Sequence, residues 1–185
     1  RLITALHRVM QTSPGAPSDK VLDAVAASKR ADTSLEYLRD LIRNPTLVMD
    51  YDGYLSSLRR PKLNELGDRG RFPIDGSAGQ LDAETAQGWL ARMLDYEAVI
   101  VDLLQPLKLI GEYGQAQHQD ELTRTMRAFG QEATQPAGLD LFRYAHQYPT
   151  LVLSYVLSLA AVSKRNYGML RAGVADVVVK TLNSQ

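Results

Sequence analysis

Five cations, Arg59, Arg60, Lys62, Arg69 and Arg71, are crowded into residues 59–71 against two anions, Glu65 and Asp68. Arginine outnumbers lysine there, and a guanidinium's planar fork suits bidentate contact with carboxylates or phosphates. Three partners compete for such a cluster. The first is the chain's own acidic surface: segment 82–104 carries Asp82, Glu84, Asp95, Glu97 and Asp102 against Arg92 alone. A cationic loop docked on that face would account for both features and for the formal net charge of zero. The second is another protein. The third is a nucleic-acid backbone, which lacks the support of interleaved aromatics or a recognisable binding module. Residues 59–71 are therefore the candidate binding segment, with nucleic acid the weaker of the external partners.

Other residue types that could do chemistry fall short on spacing. Asp50-Tyr-Asp-Gly53 looks like part of a calcium loop, but with Gly53 at the sixth position Val48 stands first and Arg59 twelfth. A calcium loop needs an acidic ligand first and a bidentate Glu twelfth, so the segment reads as helix surface. His7, His118 and His146 have no metal-ligand spacing. His118, beside Asp120 and Glu121, reads as a solvated turn. His146, between Tyr144 and Tyr148 and ahead of Pro149, reads as the filler of a helix junction, with a binding role as the alternative. Ser154 and Ser158 stand four apart, where a buried hydroxyl bonds back to the carbonyl one turn earlier. Neither of the two common glycine-rich phosphate cradles nor a nucleophile elbow is present. The chain has no Cys, which removes disulfides, thiolate nucleophiles and Cys-held metals. Asp95, Glu97 and Asp102 could serve a helical enzyme, but they are spread around one helix and do not converge. We expect no catalytic residues, no metal and no cofactor within this segment.

The elements that position these residues read as helices. Hydrophobic residues make up 45% of the 185 and charged residues 23%, enough to bury a core. No segment alternates apolar and polar residues long enough to demand a strand, with Phe72-Pro-Ile74 the one short candidate. A first helix is expected over Arg1–Gln11, then a loop over Thr12–Pro17. Ser18 caps a helix carrying Val21, Leu22, Val25 and Ala26. Thr33 with Glu36 matches a capping box opening a further helix over 34–43, which stops at Asn44-Pro45. Pro45 opens the next, through Tyr51, Leu55 and Leu58. Residues 59–79, rich in Gly and Pro, form a long irregular central loop and the one candidate subdomain break, within 59–81.

Residues 82–104 make the longest helix, with Trp89, Met93, Tyr96, Ile100 and Leu103 on one stripe and Leu90, Leu94, Val101 and Leu104 on the next. Pro106 should end or kink it. A weaker helix covers 115–132, and Gln135–Gly138 is a turn. The tail then reads as a helix over 139–148, a corner at Pro149, a buried helix to Val162, a polar break at Ser163–Asn166, and a last helix from Tyr167 to Val179. The expected fold is all-α, one orthogonal bundle of about seven to nine helices over residues 1–185. Trp89, Leu94, Ile100, Leu153, Tyr155 and Leu157 are expected in its core. The segments 20–29 and 33–43 could be mistaken for a helix-turn-helix, but the second presents Glu36 and Asp40, which phosphates would repel.

The longest apolar run, Leu151–Val162, falls short of the about 20 residues of a membrane span, and the N-terminus lacks a signal-peptide core. A cytoplasmic location follows by default. Because residue 1 is Arg rather than Met, we expect a piece of a longer protein.

Two stretches carry a resemblance, Tyr54–Pro73 and His146–Tyr155 with the following Lys164–Leu170. They resemble the helical C-terminal regions of large bacterial multidomain proteins, in which such regions follow SIR2-like or NTPase-type effector domains in defence or signalling architectures. The resemblance implies a regulatory or sensing module whose partners are other domains of the parent protein or a separate protein. The function expected is thus a non-enzymatic interaction module, with nucleic-acid binding through residues 59–71 as the alternative.

Overall fold

The structure, a computed structural model, describes residues 19–73, 83–133 and 140–177. The expected opening helix, the loop at 12–17, the Ser18 cap and the turn at 135–138 lie outside these residues. Every described element is helical: α1 (Asp19–Arg43), α2 (Val48–Leu66), α3 (Ala83–Tyr113), α4 (Gln119–Ala133), α5 (Asp140–Ser163) and α6 (Tyr167–Leu170), with short 3-10 turns at Pro45–Leu47 and Ala116–His118. The all-α reading holds, with six α-helices among the described residues. Contacts divide the chain into two units, Arg1–Glu36 and Tyr37–Gln185. In the first, the described residues belong to α1. The second holds the remaining helices and the core.

Several helices run through positions where the sequence suggested a break. The capping box at Thr33 does not form, because the Thr33 hydroxyl donates to the Lys29 carbonyl (3.0 Å) inside a continuous α1. The turn a helix-turn-helix would need at residues 30–32 is therefore helix. Pro61 lies inside α2, Pro106 inside α3 and Pro149 inside α5. A helical proline removes one hydrogen bond and crowds the preceding turn, costing roughly 3 kcal/mol. Pro106 and Pro149 are buried, so their rings add apolar contact where the bond is lost. At Pro61 the carbonyl deprived of its donor belongs to Ser57, which is exposed and open to water. The expected corner at Pro149 is thus absent, and Arg59, Arg60 and Lys62 stand on a helix rather than in a loop.

The second unit is organised by four helices. Lys62 of α2 reaches Asp102 of α3, and Phe72, just after α2, stacks on Tyr96, so α2 and α3 run antiparallel. Residues of α3 meet residues 50 to 52 positions later at both ends, Tyr96 with His146 and Gly114 with Asn166, so α3 and α5 run parallel. Thr150 donates to the carbonyl of Phe129 and Glu132 lies by His146, so α4 runs antiparallel to α5, and it packs between α5 and α2. Tyr51, Leu55, Tyr96, Ile100, Leu103, Leu107, Leu122, Phe129, Leu153 and Leu157 fill the centre.

Two close approaches set the packing. A Cβ on Gly111 would lie 2.9 Å from the Leu157 carbonyl, so α3 and α5 touch backbone to backbone there. A Cβ on Gly173 would lie 2.0 Å from Leu157 Cδ2. Gly173 sits in a π turn, Arg171–Ala175, which continues α6. The widened turn frees the Ala172 carbonyl, which accepts from the Thr123 hydroxyl of α4 at 2.8 Å. Arg165 supplies the reversal before α6 with a left-handed φ of 56°, and Asn166 ties the reversal to the end of α3 by donating to the Gly114 carbonyl at 2.9 Å.

Candidate functional site

The five cations picked from the sequence are dispersed along the molecule. Arg59 donates to Glu121 Oε1 (2.9 Å) and to the Thr125 hydroxyl (3.1 Å) on α4. Lys62 reaches Asp102 Oδ2 at 3.0 Å. Arg69 meets Glu132 Oε1 at 3.4 Å. Arg71 pairs with Glu65 at 3.1 Å and lies over the Phe72 ring. Arg60 is exposed. The expected internal docking therefore exists, but onto another surface. The carboxylates that hold the arginines stand on α4 or on α2 itself, and Asp102 is the one acid of α3 that takes part in these pairs. The sequence could not choose α4, because its acids are diluted by Arg124 and Arg127.

Two histidines lie in buried polar clusters. His118 is fully buried, against the expectation of a solvated turn. Its Nδ1 accepts from the Gln115 N–H at 3.0 Å, closing a capping box ahead of α4. Its ring packs 4.4 Å from that of Tyr51. Burial lowers the His118 pKa and, with the nearby Asp52 and Glu121 charges, raises that of Tyr51. Below them Glu121, 1% exposed, takes both Arg59 and Arg124. His146 is buried inside α5. Its Nδ1 lies 3.0 Å from the Tyr96 hydroxyl and its Nε2 3.5 Å from Glu132 Oε1. Burial and the Arg69 charge lower its pKa, against the raising effect of Glu132. These clusters tie α2, α4 and α5 together. Neither opposes a nucleophile to a base, and among the described residues no group of three His, Cys, Asp or Glu could hold a metal ion. Ser158 donates to the Ser154 carbonyl at 2.7 Å, an ordinary helical back-bond.

The feature the sequence placed wrongly is an apolar outer face. Ile100, Leu153 and Leu157 are in the core as expected, but Leu94 is 58% and Tyr155 64% exposed, and Trp89 is partly exposed. They are not alone. Leu90 and Val101 on α3 and Leu151, Leu159 and Val162 on α5 are each more than half exposed. α3 and α5 run parallel and in contact, and each leaves a stripe of large apolar side chains in water. Single exposed apolar residues are normal, whereas many large ones on two neighbouring helices are candidates for an interaction surface. The signal was present in the sequence as the second stripe of helix 82–104. Two apolar stripes on one helix ordinarily mean burial on both, so the sequence pattern points this one at the core.

Among the described residues no helix is long and apolar enough to cross a membrane. No family model matches the chain, and no curated protein or solved structure is significantly similar to it.

Proposed function

We propose that this chain is a helical interaction module that works by contact rather than by catalysis, through the outer face of α3 and α5. The observation that carries the reading is the run of large apolar side chains, Leu90, Leu94, Val101, Leu151, Tyr155, Leu159 and Val162, left more than half exposed on two parallel helices. Such a surface loses free energy when covered, at about 25 cal/mol per Å² of apolar area. The resemblance of Tyr54–Pro73, His146–Tyr155 and Lys164–Leu170 to regulatory regions of bacterial multidomain proteins supports placing the module in a larger parent, where it would sense or hold a protein partner.

Replacing Leu94, Val101, Tyr155 and Leu159 together by Ser tests the role of the face. At a protein concentration too low for self-association, the variant should keep the helix content and melting temperature of the natural chain and lose its binding of an apolar fluorescent dye. Dye binding equal to that of the natural chain would remove the face from the reading. An immunoblot of source cells sizes the native polypeptide: a band well above 20.5 kDa agrees with a module, and one at that mass argues against a parent protein.

Nucleic-acid binding through residues 59–71 is the alternative. It has less support, because Arg59, Lys62, Arg69 and Arg71 already face carboxylates, which a phosphate would have to displace. Backbone binding should weaken steeply between about 50 and 200 mM salt, and binding insensitive to salt would dismiss it.

A further inference from the structure

The outer line of α3 has the spacing of a coiled-coil seam. Leu90, Leu94, Glu97, Val101, Leu104 and Lys108 follow one another at alternating steps of four and three, the a/d repeat that keeps one side of a helix against a partner helix. Four of the six are apolar. The other two are an acid and a base, and they stand at equal distance on either side of the stretch between Val101 and Leu104. Both are exposed. Lys108 is held only loosely, 3.9 Å from Glu112, and Glu97 accepts from the Tyr148 hydroxyl of α5.

That placement distinguishes between orientations of an identical helix. Laid parallel and in register, Glu97 would face Glu97 and Lys108 would face Lys108. Laid antiparallel about the Val101–Leu104 centre, each Glu97 faces a Lys108, twice over, with each Val101 set against the partner's Leu104 between them. A two-fold axis makes every contact of this kind reciprocal. α5, packed against α3, leaves Leu151, Tyr155, Leu159 and Val162 exposed as further apolar surface that a second copy could cover. Helix dipoles favour the same orientation, and overall charge does not oppose association. The macrodipoles of α3 and α5 point the same way because the helices are parallel, and an antiparallel pair from another chain would offset them. The formal net charge of zero sets no long-range repulsion between copies.

We propose that the outer face of α3 and α5 is covered by a second copy of this chain, packed across a two-fold axis with the two α3 helices antiparallel and Glu97 paired with the partner's Lys108. The proposal rests on the contact reading above and names its partner.

Sedimentation velocity across a wide concentration range tests it, with circular dichroism to confirm that each variant is folded. The natural chain should sediment as a dimer. Glu97→Lys sets lysine against lysine at both ends of the seam and should raise the dissociation constant at least about tenfold. The exchange Glu97→Lys with Lys108→Glu restores opposite charges and should recover most of the dimer. Recovery by the exchange is the outcome that a merely sticky surface would not give. A natural chain that stays monomeric at every concentration overturns the proposal. In that case apolar dye that binds the monomer, and is lost with Leu94→Ser and Tyr155→Ser, leaves the face as a docking surface for something else. A dimer indifferent to all of these changes overturns both the proposal and the contact reading.

Discussion

The seam between α2 and α4 and the outer face of α3 and α5 invert the usual sorting of side chains. The first takes a charge out of water, with Glu121 buried against Arg59 and capped by the more exposed Arg124. The second leaves leucine, valine and tyrosine in water. A buried carboxylate is tolerated because two guanidinium groups pair with it, and the desolvation it suffers is offset only while they remain. Exposed apolar residues are tolerated because leaving them in water removes a gain that burial would have brought, without stranding a polar group. The contrast teaches that residue type alone does not place a side chain here; what lies across from it does.

The largest effects should come from breaking burial on the core side of α5. Leu157→Asp would strand a charge against Gly173 and Leu122 and should cost more than about 4 kcal/mol, enough to unfold most small domains. Tyr155→Asp, two residues away on the exposed stripe, should shift the stability of the dilute monomer by no more than about 0.5 kcal/mol. Urea unfolding of the two variants side by side measures the gap, and equal losses would mean that the outer face is core after all.

Breaking the charged seam should come next. Glu121→Ala would leave Arg59 without its buried partner and should cost about 3–5 kcal/mol. Glu65→Ala, which frees Arg71 at the surface, should cost at most about 1 kcal/mol. Chemical denaturation of each variant reads both, and a small loss at Glu121 would show that water reaches the seam.

A smaller and more specific effect belongs to Gly173. Alanine there would drive a methyl into Leu157 Cδ2 and should cost about 1–3 kcal/mol by overpacking. The double variant with Leu157→Val should recover part of that loss in thermal melts. An additive loss would place the strain in the π turn instead.

Acid should sharpen the comparison last. The pKa values of His118 and His146 are both held below the ordinary histidine value, first by burial and, at His146, also by the Arg69 charge. The folded chain therefore binds fewer protons than the unfolded one once the pH falls below about 6.5, the unfolded histidine value. The stability they contribute is complete above that pH and declines as the pH drops through it toward the folded values. Melting temperature followed downward from neutral pH should fall, and His146→Gln should flatten part of that slope. A slope unchanged in both His118→Gln and His146→Gln would assign the acid sensitivity to the carboxylates.

Helix content was legible because helical signals are local. The absence of alternation, the stop at Asn44-Pro45 and the polar break at Ser163–Asn166 each act over a few residues, and α1, the turn at Pro45–Leu47 and the reversal at Arg165 follow them. The prolines were misread for the same reason. A proline rule counts the lost hydrogen bond, while Pro106 and Pro149 are buried by helices distant in sequence. His118 was misread because its burial depends on Tyr51, far back in the chain. The candidate site was the least legible part. The cations were visible, but their carboxylates on α4 were not, and the apolar face looked like core.

The sequence by itself determined that this chain is helical, where most of its inward stripes run, and that its residue spacing offers no recognised metal or nucleophile constellation. Only the tertiary structure decided which of the two apolar stripes on α3 is covered, and that Arg59 is matched by Glu121. Periodicity fixes a face relative to its own helix axis, whereas burial and ion pairing depend on which other helix arrives at that face, and that is set by contacts between residues far apart in the chain.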